Sequence, residues 1–158
     1  MGEQTLDISD LSSVTVPGVN VRVGIDLASV PDVAASLRAF GPRYLHRLFT
    51  DHEIESSSGT TIDVVASRLA ARFAAKEAMM KVLHTGRDGV PWKSIEVRRE
   101  PEGGCSLRLS GESALLASRA RISATSVALS HEGAMAAAVV VASCAEQNAE
   151  QPQGKGMS

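Results

Sequence analysis

The chain has 158 residues, a net charge of −2 and a pI near 6.1. That length fits one domain with a hydrophobic core that needs no staples, and the absence of a basic excess argues against nucleic acid as a partner. No run approaches the roughly 18 apolar residues of a membrane span, and the N-terminus lacks a signal-peptide core.

Residues 1–18 are polar, end in Pro17-Gly18 and are expected to form an extension outside the fold, a domain over 19–143. Residues 19–25, rich in Val and Ile, predict a buried strand with Asp26 at its end. A carboxylate there is either a turn or helix cap or a ligand on a rigid support. Residues 30–40 carry helical spacing at Val33, Leu37 and Phe40, with Pro31 in the tolerated first turn. Gly41-Pro42 breaks that helix, and residues 43–48 predict a short second one bearing Arg43, His46 and Arg47. Thr50 and Glu53 have the spacing of a capping box, which needs no functional explanation.

An unbroken run of good helix formers over 64–83 predicts a central helix of about five turns. Leu69, Phe73 and Met80 mark its core face; Glu77 and Lys81 lie one turn apart on one side. Gly86 is expected to end it in a left-handed conformation, and the Gly-rich loop over 84–91 is a weak phosphate-cradle signal. Beyond it, 94–99 and 106–109 predict a hairpin around Gly103-Gly104, and Ser110 should cap a helix over 112–121. Two apolar strands, 125–130 and 134–142, are expected to be buried on both faces and joined by a tight turn at His131-Glu132-Gly133. The segment 144–158 has the polar, Pro- and Gly-containing composition of a disordered tail. Cys105 and Cys144 belong to no Cys-x-x-Cys and have no zinc-like His spacing, so reduced thiols in a cytoplasmic protein are expected. With only 3% aromatic residues the core must be filled by Ala, Val, Leu and Ile, and an oligomer interface would add buried area.

Four blocks together resemble a known family: Val23-Gly24-Ile25-Asp26; Arg72-Phe73-Ala74-Ala75-Lys76-Glu77-Ala78 with Lys81; Trp92-Lys93-Ser94-Ile95-Glu96-Val97; and Ala128-Leu129-Ser130-His131. Their order and spacing look like the holo-acyl-carrier-protein synthase branch of the 4′-phosphopantetheinyl transferases, and the likeness runs over roughly residues 21–141. It implies an α+β fold, one compact domain whose antiparallel sheet packs on the long central helix. It implies transfer of 4′-phosphopantetheine from coenzyme A to a serine of an apo acyl carrier protein, in fatty-acid or polyketide synthesis, with Mg²⁺ held by Asp26 and Glu77. Lys76 and Lys81 would face the pyrophosphate, with Arg72 and His131 as further phosphate ligands. Glu77 is the candidate base, with Lys81 beside it. Members of this branch are homotrimers with sites shared between neighbouring subunits. They dock the acidic carrier on a basic first helix. Here Pro31-Asp32 opens that helix, leaving Arg38, Arg43 and Arg47 as the docking candidates. Two other readings stand beside this one: a carrier-binding module of the same fold without turnover, and a coenzyme A-dependent acyltransferase.

Overall fold

The computed structural model describes residues 20–145, so the expected extension over 1–18 and all but the start of the expected tail lie outside the described residues. Strand β1 (Asn20–Ser29) leads directly into α1 (Val30–Phe40), followed by α2 (Pro42–Leu48), α3 (Asp51–Ser56) and the long α4 (Ile62–Leu83). A single 3₁₀ turn at Trp92–Ser94 enters β2 (Ile95–Arg99), then β3 (Cys105–Leu109), α5 (Gly111–Arg119), β4 (Ile122–Glu132) and β5 (Met135–Cys144). The five strands form one sheet in the order β1-β5-β4-β3-β2, every neighbouring pair antiparallel. Helix α4 packs on one face of it, giving the expected α+β architecture.

Local chemistry accounts for most boundaries. Ser29 accepts from the Asp32 amide to cap α1, and Thr61 does the same for α4 through Val64. Both halves of the capping box at α3 form: Thr50 accepts from the Glu53 amide, and Glu53 Oε2 accepts from the Thr50 amide at 2.9 Å.

Several expectations are corrected. Strand β1 continues through Asp26 to Ser29, because β5 supplies a partner for every residue from Asn20 to Ser29; Asp26 is therefore an interior strand residue, neither a turn nor a cap. Helix α4 ends on His84, which takes the left-handed conformation itself (φ 56°), ahead of Gly86. Ser110 occupies the cap position of α5 without a side-chain hydrogen bond, and that helix stops at Arg119. His131 and Glu132 are ladder residues paired with Ala136 and Met135, so the turn falls on Gly133 and Ala134. Strand β5 runs to Cys144, just past the expected domain end.

The core sits between α4 and the sheet. Ala66, Leu69, Ala70, Ala74, Ala75, Ala78 and Met79 are fully buried, so α4 is enclosed around most of its circumference by α1, β1 and β5. Gly24 permits the closest approach. A Cβ at that position would come 2.0 Å from the Ala78 carbonyl oxygen, so only glycine lets β1 lie against the backbone of α4. The opposite face is open along β1 and β4 and at Met135 and Val141 of β5, contrary to the burial on both faces expected of the last two strands. Val23 (63%), Ile25 (58%) and Leu27 (61%) stand exposed on β1, and Met135 and Val141 continue that apolar surface on β5. Among the described residues, no helix is long and apolar enough to cross a membrane.

Candidate active site

The contact between β1 and α4 brings the two predicted carboxylates together. Asp26 points from β1 toward α4, where the Lys81 ammonium donates to its Oδ1 and to the Ile25 carbonyl, each at 2.7 Å. Asp26 Oδ2 is buried without a well-formed hydrogen bond. Glu77 lies one turn before Lys81. Its pKa is pushed up to about 7, first by burial and then by the neighbouring Asp26 carboxyl, with the Lys81 charge acting the other way. Among the described residues the two neighbouring acids thus face the Lys81 ammonium, and a further cation there would favour ionised Glu77.

Glu77 and Lys81 border a hollow of about 460 Å³ whose other walls are Met80, the loop from His84 to Val90 and Trp92. The Gly-rich loop, a weak signal in the sequence, is thus placed against the acids. Arg72 and His131 are not brought to this hollow. They border another, of about 450 Å³, together with Arg68, Arg99 and Cys105. Arg72 is 6% exposed, donating to the Arg68 carbonyl at 3.1 Å and Ser56 Oγ at 3.0 Å, while its buried Nε has no partner. Burial lowers its pKa.

Lys76 requires a correction. It was expected to face the pyrophosphate, but its side chain is fully buried, 2.8 Å from Glu53 Oε2, and donates to the Trp92 carbonyl at 2.9 Å and to the Ile95 carbonyl. The physical reason is helical phase: consecutive residues point about 100° apart, so with Glu77 at the hollow its neighbour turns into the core. Glu53, assigned only a capping role from the sequence, accepts in addition from the Val97 amide at 2.9 Å and thereby joins α3, α4 and β2. Nothing in its i, i+3 pattern signalled this second task.

Of the three docking candidates, Arg43 and Arg47 border a third hollow, of about 640 Å³, with Phe40, Tyr44, Phe73 and Trp92. Arg38 is directed elsewhere, 3.6 Å from Asp63. Phe73 and Trp92 stack with centroids 4.9 Å apart and planes 19° from parallel. Sequence reasoning missed that stack, although Trp92 is the only tryptophan.

Residues 22–140, which include both acids, Lys81 and the stacked pair, match the 4′-phosphopantetheinyl transferase superfamily. The chain belongs to that superfamily. Its similarity to individual members is extensive. A holo-[acyl-carrier-protein] synthase of Desulforudis audaxviator is 38% identical over 120 residues, covering 76% of this chain and 90% of the relative. One from Koribacter versatilis is 45% identical over 95 residues, 60% of this chain and 74% of the relative. Among solved structures, the Helicobacter pylori holo-[acyl-carrier-protein] synthase in complex with coenzyme A superposes with a TM-score of 0.64 at 26% identity, covering 77% of this chain and 99% of that one. The fold and the enzyme class are those expected from the four sequence blocks.

Proposed function

We propose that this transferase moves 4′-phosphopantetheine from coenzyme A to a serine of an apo acyl carrier protein. The observation that carries this reading is the Asp26–Glu77–Lys81 cluster beside a glycine-rich hollow. In the reaction the serine oxygen bonds to the phosphorus that bears the pantetheine. The bond from that phosphorus to the bridging pyrophosphate oxygen breaks, and adenosine 3′,5′-bisphosphate departs with the electron pair. Glu77 accepts the serine proton, and the Lys81 ammonium offsets charge on the pyrophosphate.

The donor set fits Mg²⁺. That small hard cation takes oxygen ligands and commonly uses only one or two carboxylates, with waters and substrate phosphates completing the shell. Asp26 and Glu77 offer two, one of them with an unpartnered buried oxygen, and no cluster of three or more His, Cys, Asp or Glu exists among the described residues. A Mg²⁺ held by this pair would polarise the attacked phosphoryl group and neutralise the leaving bisphosphate.

The carrier is proposed to dock at α2. Arg43 and Arg47 present positive charge over an apolar hollow, which suits an acidic helical partner with an apolar anchor. Two further copies of the chain are proposed to cover the bare face of the sheet, since a row of exposed Val, Ile and Leu of this kind marks an interaction surface. A trimer would also give the separate Arg72–His131 hollow a role, with phosphate ligands from one copy serving the acids of the next.

The test is mass spectrometry of apo carrier incubated with coenzyme A and Mg²⁺. Adenosine 3′,5′-bisphosphate and a pantetheinylated carrier are expected, and both should vanish with Asp26→Ala or Glu77→Ala in folded protein. Release of free coenzyme A would mark an acyltransferase, and no product would mark a silent carrier-binding module. Light scattering should return about three times the 16.6 kDa chain mass.

A further inference from the structure

Trp92 borders two of the three hollows: the one holding Glu77 and Lys81, and the one holding Arg43 and Arg47. The two therefore adjoin at Trp92. That side chain is unusually well fixed. Its ring stacks on Phe73 from α4 at 4.9 Å, which sets the plane of the indole. Its carbonyl accepts from the buried Lys76 ammonium at 2.9 Å, and Lys76 is the immediate neighbour of Glu77. The following turn is pinned as well, since the Ser94 amide donates to the Pro91 carbonyl at 2.8 Å and the Ser110 amide to the Ser94 carbonyl at 2.9 Å. A partly buried aromatic residue held this firmly is a rigid partition between the two hollows.

We propose that Trp92 is a positioning residue for the transfer: its indole is the shared wall that sets how far, and at what angle, a serine presented from the docking hollow meets the pyrophosphate. The proposal rests on the transfer function and docking surface given above. Trp92 itself exchanges no proton and holds no charge. It acts by fixing the distance between two bound partners, and a displacement of about 1 Å at such a junction costs on the order of 100-fold in rate. Charge attraction for the carrier and for coenzyme A is supplied by Arg43, Arg47, Lys81 and the acids, so a loss of position at the ring shows chiefly in kcat.

Steady-state kinetics of wild type, Trp92→Phe, Trp92→Leu and Trp92→Ala test this, with apo carrier and coenzyme A varied separately. The expected result for Trp92→Ala is a kcat lower by roughly 10- to 100-fold, a larger change than in either KM. Trp92→Phe, which keeps a flat ring against Phe73, should restore most of kcat; Trp92→Leu, which fills the space without a ring, should not. If Trp92→Ala does not fold, the Leu and Phe pair carries the same contrast. Unchanged kcat in Trp92→Leu, a loss that appears mainly in KM, or failure of Phe to rescue would overturn the positioning role. A wild-type enzyme that makes no pantetheinylated carrier would instead overturn the transfer function itself, and the positioning role with it.

Discussion

Lys76 and Glu53 form an ion pair at 2.8 Å with neither side chain exposed at all. Burial lowers the lysine pKa, and Glu53 opposes that shift by charge and hydrogen bond. The Phe49 ring lies 5.7 Å from the same ammonium; the carbonyls of Trp92 and Ile95 accept its other two N–H groups, and the amides of Thr50 and Val97 donate to the two Glu53 oxygens. This network fixes α3, α4 and the entry to β2 relative to one another, and so fixes the phase of α4 that aims Glu77 at the hollow.

Removing one partner leaves the other charge buried and unpaired. Glu53→Gln should therefore destabilise the fold by about 3–5 kcal/mol, and Lys76→Met by a comparable amount. In the double variant the penalty should fall well below the sum of the two, because no lone charge is left. Denaturant melts of the four proteins check this. Strictly additive losses would mean that the pair is not coupled.

Glu77 predicts the pH dependence of the metal-free protein. Its folded pKa of about 7 lies above the ordinary glutamate value of 4.5. Its stability contribution is thus fully present below about pH 4.5 and is lost as pH rises through 7. In chelating buffer, Glu77→Gln should gain on wild type in thermal stability between pH 5 and pH 8, since the amide cannot ionise. Parallel melting curves for the two proteins across that range would contradict the assigned environment.

Charge at α2 predicts a salt effect. Arg43 and Arg47 are exposed and border one hollow, so Arg43→Glu with Arg47→Glu should raise KM for the carrier strongly while KM for coenzyme A stays nearly constant. Added salt should act in the same direction on the wild type, because exposed charges are screened beyond roughly 8 Å at physiological ionic strength. Arg38→Glu should have the smaller effect, given its pairing with Asp63. Indifference of carrier KM to salt and to the double substitution would move docking to another surface.

Much of this protein is local and was legible in order along the chain. Helix formers from 64 to 83, the capping box at Thr50 and Glu53, the glycine turns and the alternating strands name α4, α3 and the sheet hairpins without reference to one another. The resemblance of four sequence blocks to a known family, more than any spacing, singled out Asp26, Glu77 and Lys81 as one cluster. Tertiary structure decided which way those elements turn. An Ala-rich helix carries little phase information, because alanine is as acceptable against a sheet as against another helix, so nothing in the sequence separated Lys76, buried, from Glu77, facing the hollow. The phase is set by contacts from distant parts of the chain: Gly24 pressed on Ala78 from β1, and Glu53 gripping Lys76 from α3. The separation of Arg72 and His131 from the acids, the bare face of β1 and the placing of Trp92 between two hollows are likewise properties of packed surfaces. Residues far apart in the sequence create them, and no local pattern encodes them.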